Sequence, residues 1–307
     1  MIRSMSVESQ EVNSSPESKF NPESLGIVLS SFYPKWYQGE VHDLNNDKIR
    51  GDLAIGAARF IQEKKYNLIV VDGGSPNSFI DRLEVENVDT KKQRGRGLSS
   101  ARREGFEAFE GNSQIKVVCA TEPEKISLIK DSADLCTRPI LEGEADIVIP
   151  YRDRESFQTL PSYQAQEEQK SNKLYNKILR SRNILKESNP DIEFWFASHF
   201  IRNDPSVLSL FKKTYTFEAS DSAGHKIVNL QQYADTLFFP IVAALKAGFR
   251  VVSIPIHYEH PAAMKEFETG RPEFDRKRDQ QRRSIMIELV QFIKYLEGKR
   301  TRVRENA

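Results

Sequence analysis

The chain has 307 residues, with 45 Lys plus Arg against 44 Asp plus Glu and a formal net charge of +1. That balance argues against a bulk nucleic-acid binder, which usually carries a basic excess. The length allows a sizeable core. Its two cysteines, Cys119 and Cys136, have neither zinc-site spacing nor a disulfide framework. No apolar run approaches the ~18 residues of a membrane helix, and the start, MIRSMSVESQEV, lacks the apolar stretch of a signal peptide. The expectation is a soluble, cytoplasmic protein, with any membrane contact peripheral.

In chain order, residues 1–23 are rich in Ser, Glu, Asn and Pro and read as a disordered arm. Leu25 to Ser31 and Asn67 to Gly73 are short apolar runs that read as strands. Between them, Ile49, Leu53, Ala57, Phe60 and Ile61 recur at helical spacing over Asp47 to Lys64. Apolar strands joined by an amphipathic helix predict a parallel sheet covered on both faces. The pattern then gives a helix over Leu98 to Phe109, a strand over Ile115 to Ala120, a helix over Glu122 to Asp131 and a strand over Ala145 to Pro150. Further helices are predicted over Gln164 to Leu185 and over Gln231 to Ala247, the latter closed by Gly248. A strand over Phe249 to His257 and a long helix over Pro272 to Leu296 complete the pattern. We expect one α/β domain over 24–298 and a disordered tail over 299–307.

Open α/β sheets bind ligands at the carboxyl ends of their strands, so the polar residues after each apolar run are the candidates. In VVDGGSPNS, Asp72 could accept hydrogen bonds from a nucleobase or ribose, or could serve an Asx-type turn; Gly73 and Gly74 permit close backbone approach. In QRGRGLSSARREG, Arg94, Arg96, Arg102 and Arg103 lie near a helix start, which suits a diphosphate or a solvated basic face. In VVCATEPEKISLI, Thr121 reads as a helix cap with Glu122 and Glu124 in the first turn, and either acid could also hold Mg2+ or Mn2+. Asp235 stands early in an apolar helix, as a dipole-favoured acid or a general base. His257 and His260 follow the late strand and are structural or metal-binding. PEFDRKRDQQRR places Arg276, Lys277, Arg278, Arg282 and Arg283 on one helix, a solvated face or an anion site.

Taken in order, these stretches resemble the GT-A-fold glycosyltransferases, particularly the large family-2-like group, over roughly residues 25 to 260. GIVLSSFYP is similar to the family's first strand, VVDGGS to its Val-Val-Asp-Asp-Gly-Ser strand end, and RGRGLSSARREG to its Asn-x-Gly…Ala-Arg-Asn-x-Gly element through Gly97, Ala101, Arg102 and Gly105. Glu122-Pro123-Glu124 falls where the family has Asp-x-Asp, and YADTLFFPIVAALKAGFRVVSIP where it has Glu-Asp and a helix. The resemblance implies a Rossmann-like three-layer α/β/α sandwich with a mostly parallel mixed central sheet. It also implies transfer of a sugar, a hexose above all, from a nucleoside diphosphate sugar to a hydroxyl acceptor. Ser30, Ser31, Asp72, Gly73, Arg96 and Arg102 would bind the donor. Glu122, Glu124 and His260 (or else His257) would hold Mg2+ or Mn2+, and Asp235 would be the base of an inverting reaction, with retention the other outcome the family includes. Two departures stand out: each Glu reaches about one methylene, ~1.5 Å, further than Asp, and Ala234 precedes Asp235 where the family has Glu. The basic C-terminal helix suggests an anionic acceptor. A nucleotide-sugar binder without turnover remains an alternative. A sugar-nucleotide pyrophosphorylase ranks lower, because LSSFYPKWYQG lacks the Gly-rich loop after the first strand.

Overall fold

The computed structural model describes residues 20–42, 45–215, 219–220, 226–227 and 233–298. Of the arm expected over 1–23, residues 1–19 lie outside the described residues, as does the tail from 299, while residues 20–23 are described. Residues Pro22–Ser24 form a single 3-10 turn in which the Glu23 N–H donates to the Asn21 side-chain oxygen, and it leads directly into the first strand.

The elements run β1 (Leu25–Ser31), α1 (Asn46–Glu63), β2 (Asn67–Asp72), α2 (Asn77–Val85), β3 (Asp89–Lys92), α3 (Leu98–Phe109), β4 (Val117–Thr121), α4 (Ile126–Leu141) and β5 (Ile147–Arg152). They continue through α5 (Arg154–Thr159), α6 (Ser162–Ser181), β6 (His199–Arg202), α7 (Pro205–Lys212), β7 (Ala219–Ser220), β8 (Lys226–Ile227), α8 (Phe239–Ala247), β9 (Val251–Ile256), α9 (Ala262–Glu268) and α10 (Pro272–Leu296). Seven strands form one sheet in the order β3-β2-β1-β4-β6-β5-β9, and β7 pairs with β8 separately. All neighbours in the large sheet are parallel except β6, which runs antiparallel to β4 and β5.

Successive strand residues face opposite sides of a sheet. In β1, Val28 therefore joins one core, with Phe106 of α3, Leu208 of α7 and Leu289 of α10. Ile27 and Leu29 join the other, with Ala58 of α1, Phe79 of α2 and Ile129 of α4. Both faces are covered by helices, which is why β1, β2 and β4 read as unbroken apolar runs. Cys119 and Cys136 are free and buried in the second core; burial pushes the Cys136 thiol up to about 12. They serve as small apolar fillers.

Three local expectations need correction. Thr121 is not a helix cap: it ends β4, and its Oγ1 lies 2.8 Å from Ser198 Oγ. The helix after it begins only at Ile126, behind a 3-10 turn over Pro123–Lys125, and runs through to Leu141, because Leu128, Ile129, Ala133, Cys136 and Ile140 keep an apolar stripe beyond Asp131. The helix expected from Gln231 starts in earnest at Phe239; residues 231 and 232 lie outside the described residues, and Tyr233–Thr236 form a separate 3-10 turn. Pro240 sits in the first turn of α8, where its missing N–H costs nothing. Gly248 closes α8 at φ +84°, as expected.

Helix α3 lies so close to β1 that a Cβ on Gly105 would stand 2.2 Å from Val28 Cγ1. Gly105→Ala is therefore expected to lower stability by about 1–3 kcal/mol in denaturant unfolding, the usual cost of overpacking a closed core. An unchanged midpoint would show that the helix can lift.

Candidate functional site

Because β1, β2, β4, β5 and β9 are parallel, their carboxyl ends converge on one edge of the molecule. A cleft of about 800 Å³ opens there. Strand ends supply Ser30, Gly73, Glu122, Arg152 and Tyr258, and the loop before α3 supplies Gly95 to Gly97. The opposite wall is α10, through Lys277, Arg278, Gln281 and Arg282. The spacing i, i+1, i+4, i+5 puts those four on one helix face. Arg276 and Arg283, from the same basic run, are exposed and do not line the cleft.

Most of the sequence-chosen residues meet at this cleft. Ser30, Ser31, Gly73, Arg96, Glu122, Glu124 and His260 line it. Asp72 sits just behind. Its carboxylate accepts from Ser31 Oγ (2.7 Å) and Ser75 Oγ (2.6 Å), and from the backbone N–H groups of Gly74 and Ser75 (both 2.8 Å). It is the Asx-type turn that shapes the β2 end, and it leaves Gly73 as the floor. A side chain at 73 would strike Gln93 and Phe32. Arg102 is 1 % exposed and lies beneath the cleft, donating to Glu122 Oε1 at 2.5 Å and to the Ala197 carbonyl at 2.9 Å. Arg94 is turned away onto Glu104 and Glu107.

Asp235 does not come to the cleft. It is fully buried in the 3-10 turn before α8, with Arg103 Nη1 at 3.5 Å. Burial raises its carboxyl to about 7 against the pull of Arg103. His257 is also elsewhere: it is largely exposed and pairs with Asp153 at 3.1 Å. The cleft histidine is His260. Its Nδ1 lies 3.1 Å from the Tyr258 hydroxyl and its Nε2 3.7 Å from Glu268 Oε2.

The residues proposed for Mg2+ or Mn2+ are engaged with protein cations. Glu122 bonds Arg102 and also Lys125 Nζ. Burial pulls its carboxyl upward, but Lys125 and Arg102 outweigh burial and hold it below the usual range. Glu124 receives Arg50 Nη2 on both oxygens, at 3.0 and 3.2 Å. A divalent ion here would have to displace or face these cations, so the donor set as arranged does not fit one. Among the described residues, no three His, Cys, Asp or Glu side chains gather as a metal site.

Four features escaped the sequence reading. Phe32 is 61 % exposed on the cleft rim beside Gly73. Arg50 comes from α1, far from any strand end. Trp195 and Phe196 come from a loop without a periodic signal. Lys125 lay within the singled-out stretch, and its spacing of three from Glu122 was the available signal. Seven Lys or Arg side chains line the cleft against four Glu, so it carries a positive excess before any ligand enters.

No protein-family model matches this chain, and no curated protein matches it in sequence. Among solved structures, it is similar to glucosyl-3-phosphoglycerate synthase from Mycobacterium tuberculosis. The complex with Mn2+, UDP-glucose and phosphoglyceric acid superposes with a TM-score of 0.55. The complex with Mn2+, UDP and glucosyl-3-phosphoglycerate superposes with 0.52. In both, identity is 12 %, over 90 % of this chain and 80 % of that one. At that identity the likeness establishes the fold: the chain has the mostly parallel, mixed-sheet α/β/α sandwich of the GT-A type. Among the described residues, no helix is long and apolar enough to cross a membrane.

Proposed function

We propose that this chain is a glycosyltransferase that binds a nucleoside diphosphate sugar in the strand-end cleft and transfers the sugar, a hexose, to a small hydroxyl acceptor bearing an anionic group. The observation that carries the reading is the cleft's two-ended build: Ser30, Phe32, Gly73 and Arg96 at the β1, β2 and α3 end, and a wall of Lys277, Arg278 and Arg282 on α10. In this reading Phe32 stacks the base over Gly73, with Ser30 and Ser31 beside the nucleoside. Arg96 and the N-terminus of α3 meet the diphosphate. Lys277, Arg278 and Arg282 receive the acceptor's anionic group. The structural neighbour's UDP-glucose and phosphoglyceric acid support both ends of the assignment.

Transfer breaks the bond between the anomeric carbon and the diphosphate oxygen and joins that carbon to the acceptor oxygen; the acceptor hydroxyl's proton passes to the departing nucleoside diphosphate. Asp235, which the family resemblance makes the base, has no surface on the cleft, so we assign it a structural role. A nucleotide-sugar binder without turnover is the second reading, favoured because Glu122, Glu124, Glu168 and Glu268 are each ion-paired. Incubating the protein with UDP- and GDP-sugars and phosphorylated hydroxy acids, and following product mass, decides between the two. A new glycoside supports transfer; donor binding with no product over many turnovers' time supports the binder. Phe32→Ala is expected to weaken nucleoside diphosphate binding on the order of tenfold, the loss of one base–aromatic stack. Unchanged affinity in a titration would remove Phe32 from the site.

A further inference from the structure

The corner where the family resemblance puts a divalent cation already contains a cation of the protein's own. Lys125 leaves the 3-10 turn after β4 and lines the cleft. Its Nζ bonds the Glu122 carboxylate and the Phe196 carbonyl, and an ammonium has three N–H groups, so one remains for a ligand. Glu122 is only 7 % exposed and is fixed from below by Arg102. Glu124, two residues further, fixes Arg50 in the same way, and Arg50 also lines the cleft while its buried Nε has no hydrogen-bond partner among the described residues. The two glutamates thus act as anchors that hold cations, where a metal site needs carboxylates with free lone pairs.

From this we infer that Lys125, anchored by Glu122 and assisted by Arg50, takes the place of a divalent metal in binding the donor diphosphate. Donor binding and leaving-group stabilisation are then metal-independent. The inference rests on the proposed donor class, a nucleoside diphosphate sugar. The physical balance is favourable. A diphosphate brings negative charge to a cleft whose lining already has more cations than carboxylates. A divalent ion added to the same corner would sit beside Lys125 and Arg50 and be repelled by both. The longer reach of Glu over Asp also follows: the anchor must extend past the strand end to meet a lysine three residues on, and the i, i+3 pair does so. As the sugar leaves, charge grows on the diphosphate, and fixed ammonium and guanidinium groups in a partly closed site stabilise it without reorganising.

The test is calorimetric titration of the full chain with UDP and with GDP, first in EDTA and then with excess Mn2+, for the wild type and Lys125→Met. We expect the better nucleotide to bind in EDTA with an affinity within about threefold of that in Mn2+, and Lys125→Met to lose about tenfold or more in EDTA while melting as a folded protein. Wild-type binding that rises about tenfold or more on adding Mn2+ would overturn the inference and leave the donor reading intact. A folded Lys125→Met that binds as the wild type would likewise overturn it. Absence of binding by the wild type to either nucleotide in both buffers would instead overturn the donor reading itself.

Discussion

Arg152→Met is expected to cost about 3–5 kcal/mol of unfolding free energy, because it strands two buried carboxylates. Arg152 ends β5 and is 3 % exposed. Its Nε donates to Glu193 Oε1 at 2.6 Å and its Nη2 to Glu168 Oε2 at 2.7 Å, and its backbone N–H donates to Glu193 Oε2 at 2.7 Å. The guanidinium also stands over Phe157 and Phe196. Burial raises the Glu193 carboxyl even with Arg152 present; for Glu168, burial is outweighed by Arg152 and Arg278, and its carboxyl is held below the usual range. Without Arg152 both acids are pushed toward their neutral forms, so the deficit should shrink as pH falls toward 4. The consequence reaches the cleft, because Glu168 also pairs with Arg278 of α10 at 3.6 Å. Denaturant melts at neutral and acid pH check this. A loss under about 1 kcal/mol at neutral pH would mean that water enters and solvates the pair.

Asp235→Asn is expected to stabilise the protein above neutral pH by about 1–3 kcal/mol and to spare donor binding. The Asp235 carboxyl titrates at about 7 because it is buried, with Arg103 offsetting part of that cost. Glu288, itself buried, is raised to about 7 by burial and by the charge of Asp235. The sign follows from proton binding. Between about pH 4, the unfolded carboxyl's range, and about pH 7, the folded state holds protons that the unfolded chain has lost. Stability is greatest below that window and falls as pH rises through it. Removing the ionisable group at 235 flattens that fall and relieves Glu288. Stability measured at intervals from pH 4 to about 8 in both proteins reads this directly. A variant that keeps its fold and donor affinity but loses all transfer would restore Asp235 as the base.

The fold was legible where burial is two-sided. β1, β2, β4 and β5 are each built on an apolar run that ends in polar residues, and α1, α3 and α10 carry complete stripes, so their bounds were read to within a few residues. β3 escaped because its sequence, Asp-Thr-Lys-Lys, is that of a solvated sheet edge with nothing to bury. β6 escaped because four residues, His199–Arg202, are too few for a period. The candidate cleft was legible wherever a strand end lines it: Ser30, Gly73 and Glu122 follow from the topology of parallel sheets. Contributions from helices were not. Arg50 and the Lys277–Arg282 face reach the cleft through tertiary packing, and a basic helix looks the same in sequence whether it meets solvent or a ligand. Asp235 shows the converse: a matching motif position whose side chain the packing turns inward onto Arg103.

The central claim, that the strand-end cleft is the seat of a nucleoside diphosphate sugar, is tested most directly by thermal-shift titration with a panel of UDP- and GDP-sugars, wild type beside Gly73→Leu. A leucine at 73 would fill the floor between Gln93 and Phe32. A saturable rise in Tm is expected for the wild type with at least one nucleotide sugar, and none for the variant. No shift with any nucleotide sugar, or an equal shift in both proteins, would contradict it.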